Sequence, residues 1–214
     1  MKYFVRTTGE RILDGSFSQI EYELLVDKEH KFPNIFVDQL RAINDYDAIL
    51  MEDDIILCKD FDKRINEVVS RFPKDIINFF TLPNIYLMSV SVPEIGMSCY
   101  NQCMYFPKGM AGKMADIIES NNFNNGENTP EMMVRRVRCV CPEIIVINYR
   151  PCLVQHIDNN SLIGNNKKVG SRRSPYFIDY LDELDITYAE AKYSRNKHRL
   201  IDLMNEKFKE IDKE

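Results

Sequence analysis

Apolar positions fall into short continuous runs and one-faced repeats that alternate along the chain. "KYFVRTT" reads as an opening strand, with Tyr3 and Val5 on one face. "YELLVD" at 22–27 reads as a second strand and "NIFVDQLRAI" at 34–43 as a helix. "DAILME" is a third strand, nearly all apolar, as in a parallel strand covered on both faces. Over 60–72, Ile65, Val68, Val69 and Phe72 stand at i, i+3, i+4 and i+7, one face of a helix. "DIINFFTL" at 75–82 reads as another buried strand, and Met110, Met114, Ile117 and Ile118 mark another helix. The turn-rich "NNFNNGENTP" follows, where Thr129 is placed to cap a helix beginning with Pro130. "EIIVINYRPCLVQHI" at 143–157 holds a strand or two. Two helical patterns close the chain, Phe177, Tyr180, Leu181, Leu184 and then Leu200, Leu203, Met204, Ile211, with a charged segment between them. This alternation predicts one α/β domain, a mostly parallel mixed sheet flanked by helices, over residues 1–177. Residues 178–214 are expected to form a C-terminal helical extension packed on the same domain.

The length of 214 residues allows one sizeable domain. No segment reaches the apolar length of a membrane span. The first residues are too short and too polar an opening for a signal peptide, so the expectation is a soluble, cytoplasmic protein with no membrane partner. The six cysteines are then expected as reduced thiols. "CVC" and "CYNQC" lack a matching second pair with a histidine at useful spacing, which argues against zinc. A net charge of −5 argues against nonspecific nucleic-acid binding through the whole surface. The basic residues are clustered, however, in "RRVR" at 135–138 and "NNKKVGSRRS" at 165–174. The first reads as a solvated loop or helix face.

The apolar segment "AIL" runs into three acids, Glu52, Asp53 and Asp54. Buried carboxylates need a cationic partner. In an open α/β sheet, ligands gather beyond the carboxyl ends of the strands, which is where this triplet falls. If the strand persists, alternation puts Glu52 and Asp54 on one face. Oxygen-rich clusters suit magnesium or manganese. From the triplet alone, a metal site and an ordinary acidic strand end stand level. His156, in "CLVQHI", adds a second donor from the far end of the chain, and imidazole with carboxylate favours manganese. The basic loop with Lys167, Lys168, Arg172 and Arg173 follows. A metal beside such a loop is what a diphosphate needs, because the cations share its oxygens.

An apolar strand ending in the D-x-D-like "MEDDIIL", with a late histidine in "VQHIDNNSLIG", resembles the GT-A glycosyltransferases. The resemblance covers roughly Lys2 to Phe177. It implies a GT-A-like sheet, a nucleotide-sugar donor and Mn2+ (or Mg2+). It implies that Asp54 and His156 bind the metal, and that Glu52 and Asp53 contact the ribose or donor sugar. By position, Arg6, Thr7 and Thr8 match the edge of the nucleoside pocket and Asp27 the residue that reads the base. Lys168, Arg172 and Arg173 match the diphosphate cations. The region between the second strand and "MEDD" is short for the family, so the chain resembles a compact member.

Transfer with inversion needs a carboxylate to take the acceptor proton. In inverting GT-A enzymes it lies at or just before a helix after the central strands, which points to Glu131 first and Glu127 second. Glu131 also suits a first helical turn for electrostatic reasons alone. The aromatic- and methionine-rich 84–106 is expected to form an acceptor wall, or else core packing around a strand. Compact, asparagine-rich proteins of this kind resemble phage-encoded transferases, which would act in the host cytoplasm. Some of that group put sugars on hydroxymethylated DNA bases. Such an acceptor, 5-hydroxymethylcytosine in DNA, suits the basic "KYSRNKHR" at 192–199 and requires the base to leave the duplex. A glycan or lipid-linked sugar is the alternative acceptor. A nucleotidyltransferase, for which "RTTGERILDGS" is a weak phosphate loop, and a non-catalytic nucleotide-binding module are the alternative functions.

Overall fold

A computed structural model describes residues 1–29, 34–81, 94–95, 101–126, 128–157, 173–193 and 196–211. The strands are β1 (Lys2–Thr7), β2 (Tyr22–Val26), β3 (Ala48–Glu52), β4 (Ile55–Leu57), β5 (Ile76–Asn78), β6 (Glu94–Ile95), β7 (Cys103–Phe106), β8 (Val146–Asn148) and β9 (Val154–His156). The helices are α1 (Ile35–Ile43), α2 (Phe61–Arg71), α3 (Met110–Ser120), α4 (Pro130–Val140), α5 (Ile178–Glu183), α6 (Tyr188–Tyr193) and α7 (Asn196–Ile211). A 3-10 turn covers Gly15–Gln19.

Seven strands form one sheet in the order β2-β1-β3-β7-β5-β8-β6, and β4 and β9 form a second, two-stranded sheet. β1 is parallel to β2 and β3, and β5 is parallel to β8. β7 runs antiparallel between β3 and β5, and β6 antiparallel beside β8. The large sheet is therefore mixed but mostly parallel, as the alternation of strands and helices predicts.

Strand alternation splits the core into two layers. Tyr3, Val5, Ile49, Met51 and Tyr105 bury into a cluster with Phe61, Ile65 and Val68 of α2 and with Tyr180, Leu181, Ala191, Leu200 and Phe208 of the C-terminal helices. Phe4, Leu50 and Met104 face the opposite layer, with Phe36, Leu40 and Ile43 of α1, Met114 and Ile118 of α3 and Met133 and Val137 of α4. At the edge, β2 leaves Tyr22, Leu24 and Val26 partly exposed.

Three elements differ from the sequence-based expectation. The strand expected over 75–82 is only Ile76–Asn78, because the Asn78 side chain accepts from the Phe80 amide at 3.2 Å and turns the chain. The charged segment between the last two helical patterns contains α6. Thr187 Oγ1 accepts from the Glu190 amide, and Glu190 Oε2 accepts from the Thr187 amide, a reciprocal cap that needs no apolar stripe. Within the expected acceptor wall, residues 103–106 are β7, a central strand buried along its whole length. It packs the core and cannot line a wall; residues 84–93 and 96–100 lie outside the described residues.

Candidate metal and donor site

The site forms at the carboxyl ends of β1 and β3. Arg6 and Glu52 are in register across this parallel pair, and Arg6 Nη2 donates to Glu52 Oε1 at 2.8 Å. The β3 strand stops at Glu52. Asp53 and Asp54 form a bend, and β4 begins at Ile55. Strand alternation is therefore not what groups the acids. β9 pairs antiparallel with β4, with Ile55 opposite His156, and the Ile157 amide donates to the Asp54 carbonyl at 2.9 Å. That short ladder brings His156 to the bend from the far end of the chain.

Donor atoms of Glu52, Asp54 and His156 all lie within 4.8 Å of one another. His156 is fully enclosed, and its Nε2 lies 3.5 Å from Asp54 Oδ2. Asp54 Oδ1 is buried with no hydrogen-bond partner. A buried carboxylate oxygen left without a donor is costly, so a cation at this point would satisfy it. Two carboxylates and an imidazole are a donor set that fits manganese. The sequence reading placed Asp54 and His156 in this group and Glu52 on the ribose or donor sugar. The structure puts Glu52 with the other two.

Asp53 is outside that group. Its partner is Arg11, from the loop after β1, whose Nη1 donates to Asp53 Oδ1 at 2.9 Å and to Asp54 Oδ2 at 2.8 Å. Burial works against the Arg11 charge, but Asp54 and Asp53 outweigh it and raise its pKa above the usual guanidinium value. The sequence reading missed Arg11 because a single arginine in a polar turn carries no periodic signal. The available clue was the opposite charge: three adjacent acids at a strand end require cations.

Asn101 was also missed. With its amide nitrogen towards the acids, it donates to Glu52 Oε1 at 3.2 Å and to Glu131 Oε1 at 2.9 Å. Its side-chain oxygen accepts from Arg6 Nη1 and Nη2 at 3.2 and 3.1 Å. Glu131 lies in the first turn of α4, which Thr129 caps by accepting from the Met132 amide. One amide group thus joins the expected base, Glu131, to the acid cluster. Glu127 lies outside the described residues.

Arg6, expected at the edge of the nucleoside pocket, is buried against Glu52, the Asn101 carbonyl and the Phe36 ring. Thr7 and Asp27 are both buried and meet where β1 and β2 end, the Asp27 amide donating to the Thr7 carbonyl at 2.8 Å. Thr7 Oγ1 accepts from the Gly9 amide, and Gly9 takes φ +84°, a turn that carries the chain towards Arg11. Thr8 Oγ1 is buried without a partner. Arg173 is buried too: its guanidinium lies 3.8 Å from the centre of the Phe208 ring and donates to the Ile157 carbonyl. It clasps the strand that carries His156 onto α7. Lys168 and Arg172 lie outside the described residues. Of the basic C-terminal residues, Lys192 has its amine buried and Arg199 is exposed; Arg195 and the side chain of Lys197 lie outside the described residues.

Among the described residues, no helix is long and apolar enough to cross a membrane. Compared with known proteins, the chain matches no family model and no curated sequence.

Proposed function

We propose that this protein is a metal-dependent glycosyltransferase of GT-A type, which moves a sugar from a nucleotide-sugar donor to an acceptor hydroxyl. The observation that carries the reading is the meeting of Glu52, Asp54 and His156 beyond the central strands, with one buried Asp54 oxygen lacking a donor. The order of parts along the chain, acids at the end of an apolar strand and a histidine on a late one, supports it.

Glu52, Asp54 and His156 would hold the ion, which when bound supplies Lewis-acid stabilisation to the donor diphosphate. Glu131, held through Asn101 beside this group, takes the proton of the acceptor hydroxyl. The acceptor oxygen bonds to the anomeric carbon, the bond from that carbon to the diphosphate oxygen breaks, and the leaving nucleoside diphosphate keeps the electron pair. Thr7 and Asp27 meet where β1 and β2 end, the edge at which the nucleoside would be read.

The acceptor we propose is 5-hydroxymethylcytosine in DNA. The protein is incubated with manganese and a panel of nucleotide-sugars, with DNA containing cytosine or 5-hydroxymethylcytosine, and nucleosides are examined by mass spectrometry. The expected result is added sugar mass on the hydroxymethylated DNA alone. Transfer should fall steeply with salt, because binding to DNA releases counterions, while donor hydrolysis falls much less. Hydrolysis without transfer to any DNA would overturn the DNA acceptor; absence of both with every donor would overturn the glycosyltransferase reading.

A further inference from the structure

We infer that Arg11 is a built-in cation of the acidic site: it holds Asp53 and Asp54 while no metal is bound, and moves to the donor's diphosphate when a divalent ion takes Asp54. The inference rests on the metal-site reading above and adds a linkage between metal and diphosphate.

Three observations carry it. First, Arg11 Nη1 bonds both aspartates, and the Asp54 oxygen it holds, Oδ2, is also the one 3.5 Å from His156 Nε2. A divalent ion shared by Asp54 and His156 therefore arrives beside a guanidinium already in place. Two cations on one carboxylate repel, so ion and arginine compete for Asp54. Second, the loop that carries Arg11 is open to solvent. Its neighbours Gly9, Glu10 and Ile12 are exposed, Ile12 almost completely, so the segment can shift without opening the core. Arg6, in contrast, is fixed within β1 and buried against Phe36. Third, a guanidinium released from Asp54 Oδ2 stays next to the carboxylate that would hold the ion, and its fork of donors matches the oxygens of a diphosphate carried by that ion. The same residue thus weakens the binding of the ion alone and strengthens the binding of the ion with diphosphate.

Calorimetry on wild type, Arg11→Met and Arg11→Lys tests this, with manganese alone and with the manganese–pyrophosphate complex as probes. Arg11→Met is expected to bind manganese about tenfold more tightly than wild type, since one charge-assisted competitor is gone, and manganese–pyrophosphate about tenfold more weakly. Arg11→Lys keeps the charge and should stay nearer wild type in both. Misfolding cannot raise metal affinity, so a gain in the first arm is informative whatever the effect on stability, and a loss is scored only for a variant whose circular dichroism spectrum matches wild type. Unchanged or weaker manganese binding in Arg11→Met overturns the inference while leaving the metal site standing. Unchanged or tighter binding of manganese–pyrophosphate overturns the transfer to diphosphate. A wild type that binds neither probe overturns the metal-site reading, and this inference with it.

Discussion

His156 stands opposite Ile55 on the β4–β9 ladder, which leaves its Nε2 3.5 Å from Oδ2 of Asp54 although the two residues come from opposite halves of the chain. Backbone pairing sets this distance, so the imidazole does not depend on a flexible loop to reach the acids. A site built in this way should respond to single side-chain changes without losing the fold.

Asp54→Asn keeps the shape of the side chain and removes its charge. It is expected to abolish manganese-dependent binding of a nucleotide-sugar in calorimetry while the circular dichroism spectrum stays that of wild type. Metal-dependent binding at wild-type strength in this variant would contradict the role of Asp54.

His156→Ala is expected to weaken manganese affinity on the order of 100-fold. Loss of residues that only support a ligand already costs about 10- to 100-fold, and His156 is placed as a ligand itself. Competition against a metal-binding dye gives the affinity directly. A change of less than about threefold would make the imidazole a packing group, next to the Phe80 ring it already meets.

Glu131→Gln should retain donor and metal binding and lose about 10²- to 10⁴-fold in transfer rate, the range of a general base. Asn101→Ala should lower the rate less and shift its pH profile, because it removes the amide that joins Glu131 to Glu52. Equal donor binding with equal rate in Glu131→Gln would move the base elsewhere.

Phe208→Ala empties a fully buried position and removes the ring under Arg173. The expected loss is about 3–5 kcal/mol of stability, read from urea unfolding. Because Arg173 holds the Ile157 carbonyl, the variant should also weaken metal binding, although Phe208 is remote in sequence from every donor.

Most elements were legible in the sequence because each has a local signal. Continuous apolar runs marked β1 and β3, helical spacing marked α1, α2 and α3, and Thr129–Pro130 marked the start of α4. Elements without such a signal were not legible. β4 is three residues long and gains its identity only from its pairing with β9, which fell within the stretch expected to hold a strand or two. β7 lay inside a stretch whose aromatic composition also suits a binding surface, and only its pairing between β3 and β5 makes it core.

The same division holds at the site. The sequence by itself determined that three carboxylates follow an apolar strand, that a histidine follows a late one, and that Glu131 opens a helix, since these depend on residue order and short-range periodicity. Tertiary structure decided which of them meet. It put Glu52 rather than Asp53 with Asp54 and His156, because β3 ends at Glu52 and the chain bends before β4 starts. It set Arg11 on Asp53 and Asp54, and Asn101 between Glu52 and Glu131. Those contacts span long separations in the chain and consist of single side chains, which leave no pattern in the residues around them. A charge or an amide finds its partner through the path of the folded backbone, and local sequence does not record that path.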